Sequence, residues 1–139
     1  MTEDLRKQAL AMLARLPGVP NFLGLTITVA QKDRVVAEMT IQRDHCTEAD
    51  SVHGGAMMAF ADTVGAMGAV LNLREKQFTT TIESKSNFFA GTPVGAKLIA
   101  ESVPLHRGRR TQVWETSLRH ESGKLAAKVT QTQAVIDIL

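Results

Sequence analysis

The residue types best suited to chemistry lie in the middle of the chain, where His53-Gly54-Gly55 precedes Asp62. An apolar run follows the glycines and predicts a helix that begins there. The first amides of a helix have no intrahelical partner and carry the positive end of its dipole. They can bind an anion or stabilise a developing oxyanion, and Gly54 and Gly55 allow a ligand to approach closely. The alternative is that the glycines only fit a crowded helix start.

Asp62 is the one charged residue between Ala56 and Leu73, a segment whose other polar side chains are Thr63 and Asn72. A helix that is apolar on every side is enclosed by protein or by membrane, and this one is shorter than the roughly 20 residues that span a bilayer. A central aspartate also argues against a membrane. Because a buried carboxylate is costly without a partner, Asp62 is a candidate for function. The structural alternative is a hydrogen bond to a backbone amide or to Thr63.

Helical geometry bears on how these two features can cooperate. Asp62 follows His53 by nine residues. At about 1.5 Å and about 100° per residue, that places Asp62 roughly 13 Å along the axis and on the opposite face. The helix start and Asp62 of one chain therefore cannot meet at one small reacting group. We expect a composite active site at a two-fold interface, with the helix start from one subunit and Asp62 from its mate.

The segments around these residues predict an α+β fold. Apolar residues at helical spacing predict a short helix from Glu3 to Leu16, ended by Pro17-Gly18, and alternating residues predict a hairpin over 25–41. After the central helix, strand patterns occupy residues 78–88, 96–105, 111–120 and 125–138. Short connections between successive strands indicate an antiparallel meander. We therefore expect one antiparallel β-sheet wrapped around a long central apolar helix.

Length, composition and charge narrow the classes of function. A chain of 139 residues, 44% of them hydrophobic, predicts a single domain over 1–139, with the N-terminal helix in 1–17. A net charge of +2 is too even for a nucleic-acid-binding protein. The single cysteine, Cys46, excludes an internal disulfide, and a zinc site from His45, Cys46 and His53 lacks a recognised spacing. No signal peptide is visible, so we expect a cytoplasmic protein without membrane partner or metal.

Four segments carry a family resemblance: Val52–Ala56, Ala61–Thr63, Thr81–Glu83 and Phe88–Gly95. Together they resemble the hotdog-fold thioesterases of the phenylacetate-degradation type, over the chain from about Asn21 onward. The resemblance implies a hotdog fold, homodimers that commonly pair into homotetramers, and hydrolysis of acyl-CoA thioesters without a cofactor.

The resemblance also implies roles for individual residues. The aspartate at Asp62 acts as nucleophile or general base, the amide of Gly55 polarises the thioester carbonyl, and the hydroxyl of Thr81 helps to position water or the carboxylate. Family members often carry Asn or Gln six residues before the histidine, where this chain has the shorter Thr47. The substrate-orienting function of that position is then weakened or falls to another residue.

Several other residues have both a functional and a structural interpretation. His53 is a second candidate base, although we favour a role in fixing the loop, and a thiolate pair of Cys46 with the adjacent His45 is not favoured. The densest positive patch either holds the phosphates of CoA or is a solvated turn; it comprises His106, Arg107, Arg109 and Arg110. A set of large apolar residues is expected in the core, some of it lining an acyl pocket. These are Met57, Met58, Phe60, Met67 and Phe88.

The sequence thus predicts a thioesterase for a medium-chain or aryl acyl-CoA, without choosing between nucleophile and general base for Asp62. A non-catalytic acyl-CoA-binding module on the same fold is one alternative. A hydratase acting on an enoyl or hydroxyacyl thioester is another. A purely structural dimerisation domain would explain the fold and leave Asp62 without a role.

Overall fold

A computed structural model describes residues 2–139, and its architecture is one antiparallel sheet of six strands packed around a 17-residue helix. The helices are α1 (Thr2–Ala14), α2 (Val19–Leu23) and α3 (Gly54–Val70). The strands are β1 (Thr26–Gln31), β2 (Arg34–Thr40), β3 (Gln77–Phe88), β4 (Lys97–Arg107), β5 (Thr111–His120) and β6 (Leu125–Asp137). The α+β class, the hairpin, the long apolar helix and the four later strands are as the sequence predicts. Among the helices within 2–139, none combines the length and apolarity needed to cross a bilayer.

The strand order is β1-β2-β4-β5-β6-β3, so the predicted meander is wrong for β3. Strands β4, β5 and β6 do follow one another, but β3 lies at the far edge and pairs only with β6. The chain after Phe88 does not turn back because it pairs with the loop before α3 instead. The amide of Val52 donates to the carbonyl of Thr92, and the amide of Gly95 donates to that of Ile41. These hydrogen bonds hold the chain as it passes from β3, at one edge of the sheet, to the position beside β2 where β4 begins.

The sheet packs closely against α3 because the helix carries glycine where the two meet. A Cβ atom at Gly68 would lie 2.6–2.8 Å from the indole of the buried Trp114. Phe60 and Val64 are fully buried on the same helix, which confirms that α3 is largely enclosed by protein.

Two residues expected in the core are partly exposed instead. Met57, Phe60 and Met67 are buried, but Met58 is 37% and Phe88 47% exposed. Phe88 is exposed because it ends the edge strand β3, which has a neighbour on one side only. Met58 belongs to the part of the α3 surface that the sheet does not cover.

The N-terminal region contains one helix more than the sequence predicts. The break at Pro17-Gly18 is present, with Gly18 at a φ of 89°, a conformation that favours glycine. It is followed by α2, a helix of five residues that begins at Val19 and has Pro20 in its first turn. Five residues are too few for a helical period to show in the sequence. This short helix brings Phe22 toward the start of α3, where it lines a cavity.

Candidate active site

His53 caps α3 and lies outside it. Its backbone is extended, with φ −67° and ψ 138°, and its Nδ1 accepts the amide proton of Gly55 at 2.7 Å. The imidazole proton is therefore on Nε2 in this arrangement. This is the loop-fixing geometry that we favour for His53. It also means that a ligand oxygen must replace the imidazole to reach the Gly55 amide.

The position of His53 changes the angular relation expected between the helix start and Asp62. Helical geometry applies from Gly54 onward, and Gly55 precedes Asp62 by seven residues. Two turns place these residues on the same face, about 10.5 Å apart along the axis. The predicted opposite faces are therefore wrong for the Gly55 amide. The axial separation still exceeds the roughly 3–3.5 Å between reacting atoms.

The carboxylate of Asp62 is half-buried and hydrogen-bonded to the sheet. The hydroxyl of Thr81 on β3 donates to its Oδ1 at 2.7 Å, and the amide of Gln131 on β6 donates to the same oxygen at 3.2 Å. Thr63, the partner expected if Asp62 were only structural, donates to the carbonyl of Ala59 instead. The structure thus brings together Asp62 and Thr81, two of the residues that the family resemblance singles out.

Gln131 and its neighbour Gln133 were not among the residues predicted from the sequence. A signal for them was present, because these glutamines continue the buried alternation of β6 that begins with Ala127 and Val129. Polar residues on an otherwise apolar strand face are rarely buried without a partner.

A cavity of about 320 Å³ lies beside the start of α3. It is lined by Val19, Phe22, Leu23, Asp44, His45, Cys46, His53, Gly55, Ala56 and Ala59. Of the predicted site residues it contains His53 and Gly55. The contribution of α2 was missed, since that helix was not predicted. The lining is mostly apolar, with backbone amides and His53 at one side, so the cavity suits an acyl chain or ring whose polar end faces the helix start.

Three further predicted site residues lie near the helix start in other surroundings. Thr47 is exposed. Its hydroxyl donates to the carbonyl of Ser51 and accepts from the amide of Ala49, so both hydrogen bonds stay within its own loop. The ring of Phe88 lies over Gly54, where a Cβ atom would approach it to 3.3 Å. The close approach that Gly54 allows in this chain is thus to Phe88.

The positive patch lies at the other end of α3. Arg107 donates to the side-chain oxygen of Asn72 at 3.4 Å and to the carbonyl of Lys32 at 3.2 Å. Asn72 follows Gly55 by 17 residues. At about 1.5 Å per residue that is roughly 25 Å along the axis. His106 is exposed at the end of β4, next to Arg107, and Arg109 and Arg110 are exposed in the turn that leads to β5. Within one chain, the patch and the helix start are therefore not brought together.

Cys46 and His45 do not form a reactive pair. Burial and the carboxylate of Asp50 raise the pKa of the Cys46 thiol, and Arg43 offsets this only in part. His45 is buried with both ring nitrogens in use, Nδ1 accepting from the amide of Gln42 and Nε2 lying 2.9 Å from the carbonyl of Phe22. Across residues 2–139, no group of three or more metal-ligating side chains is placed to hold an ion.

Comparisons with known proteins agree with one another. The family described as the thioesterase superfamily matches residues 49–127. The proofreading thioesterase EntH of Klebsiella pneumoniae is 31% identical over 102 residues, which cover 73% of this chain and 74% of that protein. A crystal structure of a thioesterase from Haemophilus influenzae has a TM-score of 0.85 at 26% identity, covering 100% of this chain and 92% of the other. The E. coli PaaI protein from the phenylacetic acid degradation operon has a TM-score of 0.86 at 19% identity, covering 100% of both chains, a likeness of fold alone.

Proposed function

The chain belongs to the thioesterase superfamily, and from this premise we propose that it hydrolyses a medium-chain or aryl acyl-CoA to the free acid and CoA. The hotdog fold that the sequence predicts is confirmed, and the E. coli PaaI protein shares that fold. The observation that carries the proposal is the half-buried carboxylate of Asp62, the one charged residue of α3, which is hydrogen-bonded to Thr81. A carboxylate so placed is suited to act on water or on an electrophilic carbonyl.

The reaction needs a base or nucleophile, an oxyanion site and a leaving group. With Asp62 as general base, a water molecule loses its proton to the carboxylate as its oxygen attacks the thioester carbonyl carbon. The C–S bond then breaks, and the proton passes to the departing thiolate. With Asp62 as nucleophile, its oxygen attacks the same carbon, the thiolate leaves, and water hydrolyses the resulting anhydride. Both routes give acid and thiol, and both use the same residue in the same place.

We assign the oxyanion site to the amide of Gly55. The carbonyl oxygen of the substrate would take the place of His53 Nδ1 as the acceptor of this amide proton. The His53 side chain is exposed, so rotation of the imidazole into solvent would vacate this position. The amide lies at the positive end of the α3 dipole, where developing negative charge is stabilised.

The active site is proposed to be shared between two subunits. Strand β3 is an edge strand, and Ile82 at its centre is 62% exposed. Asp62 is hydrogen-bonded to Thr81 of β3, while Gly54 lies against the ring of Phe88, the last residue of β3. Antiparallel pairing of two β3 edges about a two-fold axis would bring the Phe88 end of one strand toward the Thr81 end of the other. Gly55 of one subunit would then approach Asp62 of its mate, and we propose a homodimer that pairs into a homotetramer.

The cavity beside Gly55 supports the acyl group that we propose. Its volume of about 320 Å³ is at the lower end of the roughly 300–1,000 Å³ typical of small-molecule sites. A cavity of that size with Phe22 and Val19 in its wall suits a medium chain or an aromatic ring better than a long chain. In the shared site, the positive patch of the subunit that supplies Asp62 is proposed to bind the phosphates of CoA through His106, Arg107, Arg109 and Arg110.

The experiment that tests this function is free-thiol release from short, medium, long and aryl acyl-CoAs by wild type and Asp62→Asn. We expect wild-type turnover, and a loss of about 100-fold or more in the variant, which is what a positioned base contributes. Equal rates would remove Asp62 from the chemical step. Binding of acyl-CoA without thiol release would favour a binding module, and an ultraviolet absorbance change without thiol release would favour a hydratase.

A further inference from the structure

Two glutamines of β6 lie behind the Asp62–Thr81 pair and are almost completely buried. Gln131 is 1% exposed and Gln133 is 0% exposed. Neither touches solvent, so neither is available to contact a substrate. Burying a primary amide this deeply costs free energy unless its groups find partners, and the partners here are Asp62 and Thr81.

Gln133 fixes the direction of the Thr81 proton. Its Nε2 group, which can only donate, lies 2.6 Å from Thr81 Oγ1. Its Oε1 lies 3.0 Å from the hydroxyl of Thr79, whose single proton is shared with the carbonyl of Ala134 at 2.8 Å. Thr81 therefore receives one hydrogen bond from Gln133 and has a single proton left to give. That proton points to Oδ1 of Asp62, 2.7 Å away.

Gln131 acts on the same carboxylate oxygen. Its Nε2 donates to Asp62 Oδ1 at 3.2 Å and to the Asp62 carbonyl at 3.3 Å. Oδ1 thus receives two donors, one from each of the last two strands in the sheet order. Among the residues that the structure describes, no side chain donates to Oδ2.

The side-chain amide of Gln131 packs closely against α3. Its Oε1 is buried and has no hydrogen-bond partner within the described residues. The amide also lies where a Cβ atom at position 65 would be, so the contact with Asp62 exists only because Gly65 has no side chain. The close packing of Gln131 against Gly65 thus fixes where its amide lies relative to Asp62.

We propose that Gln131 and Gln133 are positioning residues that hold Asp62 by Oδ1 and so leave Oδ2 as the reacting oxygen. Gln131 acts on the carboxylate directly, and Gln133 acts through the Thr81 hydroxyl. This inference rests on the proposed hydrolysis and specifies which atom of Asp62 performs it. Loss of either glutamine lets the carboxylate rotate without removing any contact to the substrate.

The test compares Gln131→Met and Gln133→Met with Gln112→Met in the thiol-release assay. Gln112 is the matched control, since it is 2% exposed on the same sheet but bonds to the Ala69 carbonyl and to Trp114. We expect kcat to fall about 10- to 100-fold in Gln131→Met, the range for a lost hydrogen bond to a charged group, with KM unchanged. In Gln133→Met, which loses a hydrogen bond to the neutral Thr81 hydroxyl, kcat should fall by up to about tenfold, again with KM unchanged. The control should lose thermal stability and keep its kcat.

A double variant separates positioning from general damage. In a Thr81→Val background, Gln133→Met should cost little further activity because its effect passes through the missing hydroxyl, whereas Gln131→Met should still reduce kcat. If Gln131→Met fails to fold, Gln131→Asn keeps a neutral amide that is too short to reach Oδ1 of Asp62, and it should lose kcat equally. If wild type releases thiol and substitution of either glutamine leaves kcat unchanged, this inference alone is overturned. Absence of thiol release from wild type would overturn the proposed function and this inference with it.

Discussion

The hydroxyl of Thr81 lies 2.7 Å from Oδ1 of Asp62, and this hydrogen bond joins the edge strand β3 to the middle of α3. The proposed catalytic carboxylate is therefore held by the strand that offers an unpaired edge to a second subunit. Its position and the proposed dimer interface depend on the same element. A change that displaces β3 should alter assembly and turnover together.

The shared site predicts that two inactive variants rescue each other. Gly55→Pro removes the amide proton, and proline is tolerated in the first turn of a helix, as Pro20 shows in α2. Asp62→Asn removes the base. Each homodimer should be inactive, but a heterodimer has neither change at one of its two sites. Random re-association of equal amounts makes half of the dimers heterodimers, so the mixture should recover about a quarter of the wild-type activity.

The control for this mixture is a variant that carries both substitutions in one chain, mixed with either single variant. Such mixtures contain no chain that can complete a site with its mate. Rescue that occurs equally in both kinds of mixture, or in neither, would contradict a site built from two subunits.

Substitution of two glycines of α3 is expected to affect different properties, the free energy of unfolding for Gly68 and kcat for Gly65. A methyl group at Gly68 meets the rigid indole of Trp114, so Gly68→Ala should lower the free energy of unfolding by about 1–3 kcal/mol with kcat little changed. A methyl group at Gly65 meets the flexible end of Gln131, which can move aside. Gly65→Ala should therefore lose less stability and more kcat. Denaturant unfolding and thiol release measure the two effects, and full activity in Gly65→Ala would argue against the role of Gln131.

If the positive patch binds the phosphates of CoA, removing its charges should weaken the binding of substrates that contain the CoA nucleotide. Replacing Arg109 and Arg110 by alanine should raise KM for acyl-CoA about tenfold, from two exposed ion pairs of up to about 1 kcal/mol each. KM for a truncated pantetheine thioester should not change, and added salt should reproduce the effect in wild type. Arg119→Ala, an exposed arginine at the other end of β5, is the matched control. An unchanged KM for acyl-CoA would identify the turn as solvated surface.

The raised pKa of Cys46 predicts slow alkylation in the native protein. Burial and Asp50 disfavour the thiolate, so iodoacetamide should react with native Cys46 more slowly, and with a midpoint at higher pH, than with the unfolded chain. Because the folded state binds this proton more tightly, its contribution to stability is present below the unfolded pKa and is lost as pH rises through the folded pKa. Asp50→Asn should lower the midpoint, while Asp44→Asn should not. Identical profiles for native and unfolded protein would contradict the burial of this thiol.

Much of the fold could be predicted because local patterns encode it. The period-two alternation in β5 and β6 and the apolar character of α3 depend on residues close in sequence. The position of β3 could not be predicted in this way, since it depends on hydrogen bonds of Val52 and Gly95 with residues about 40 or more positions away. The exposure of Phe88 follows from the same strand order.

The candidate site was predicted in part for a related reason. Asp62 is conspicuous as a carboxylate in an apolar segment, and Gly55 as a residue at a helix start. Gln131 and Gln133 continue the apolar face of β6, which indicates that they are buried, but their partners Asp62 and Thr81 are known only once β6 packs beside α3 and β3. The capping of Gly55 by His53 depends on a backbone turn that residue types alone do not specify.

The pairing of β3 with β6 also determines when the site can form during folding. The contacts that hold Asp62 span 69 residues to Gln131 and 19 residues to Thr81, so the longer ones close a large loop of chain. During synthesis, the aspartate and its threonine emerge well before the glutamines that orient them. The carboxylate therefore acquires its final orientation only once the last strand has docked, and the β3 edge is bare on both sides until then. Contacts of such sequence separation slow folding, and an unfinished chain of this kind depends on β6 both to cover its edge and to finish its site.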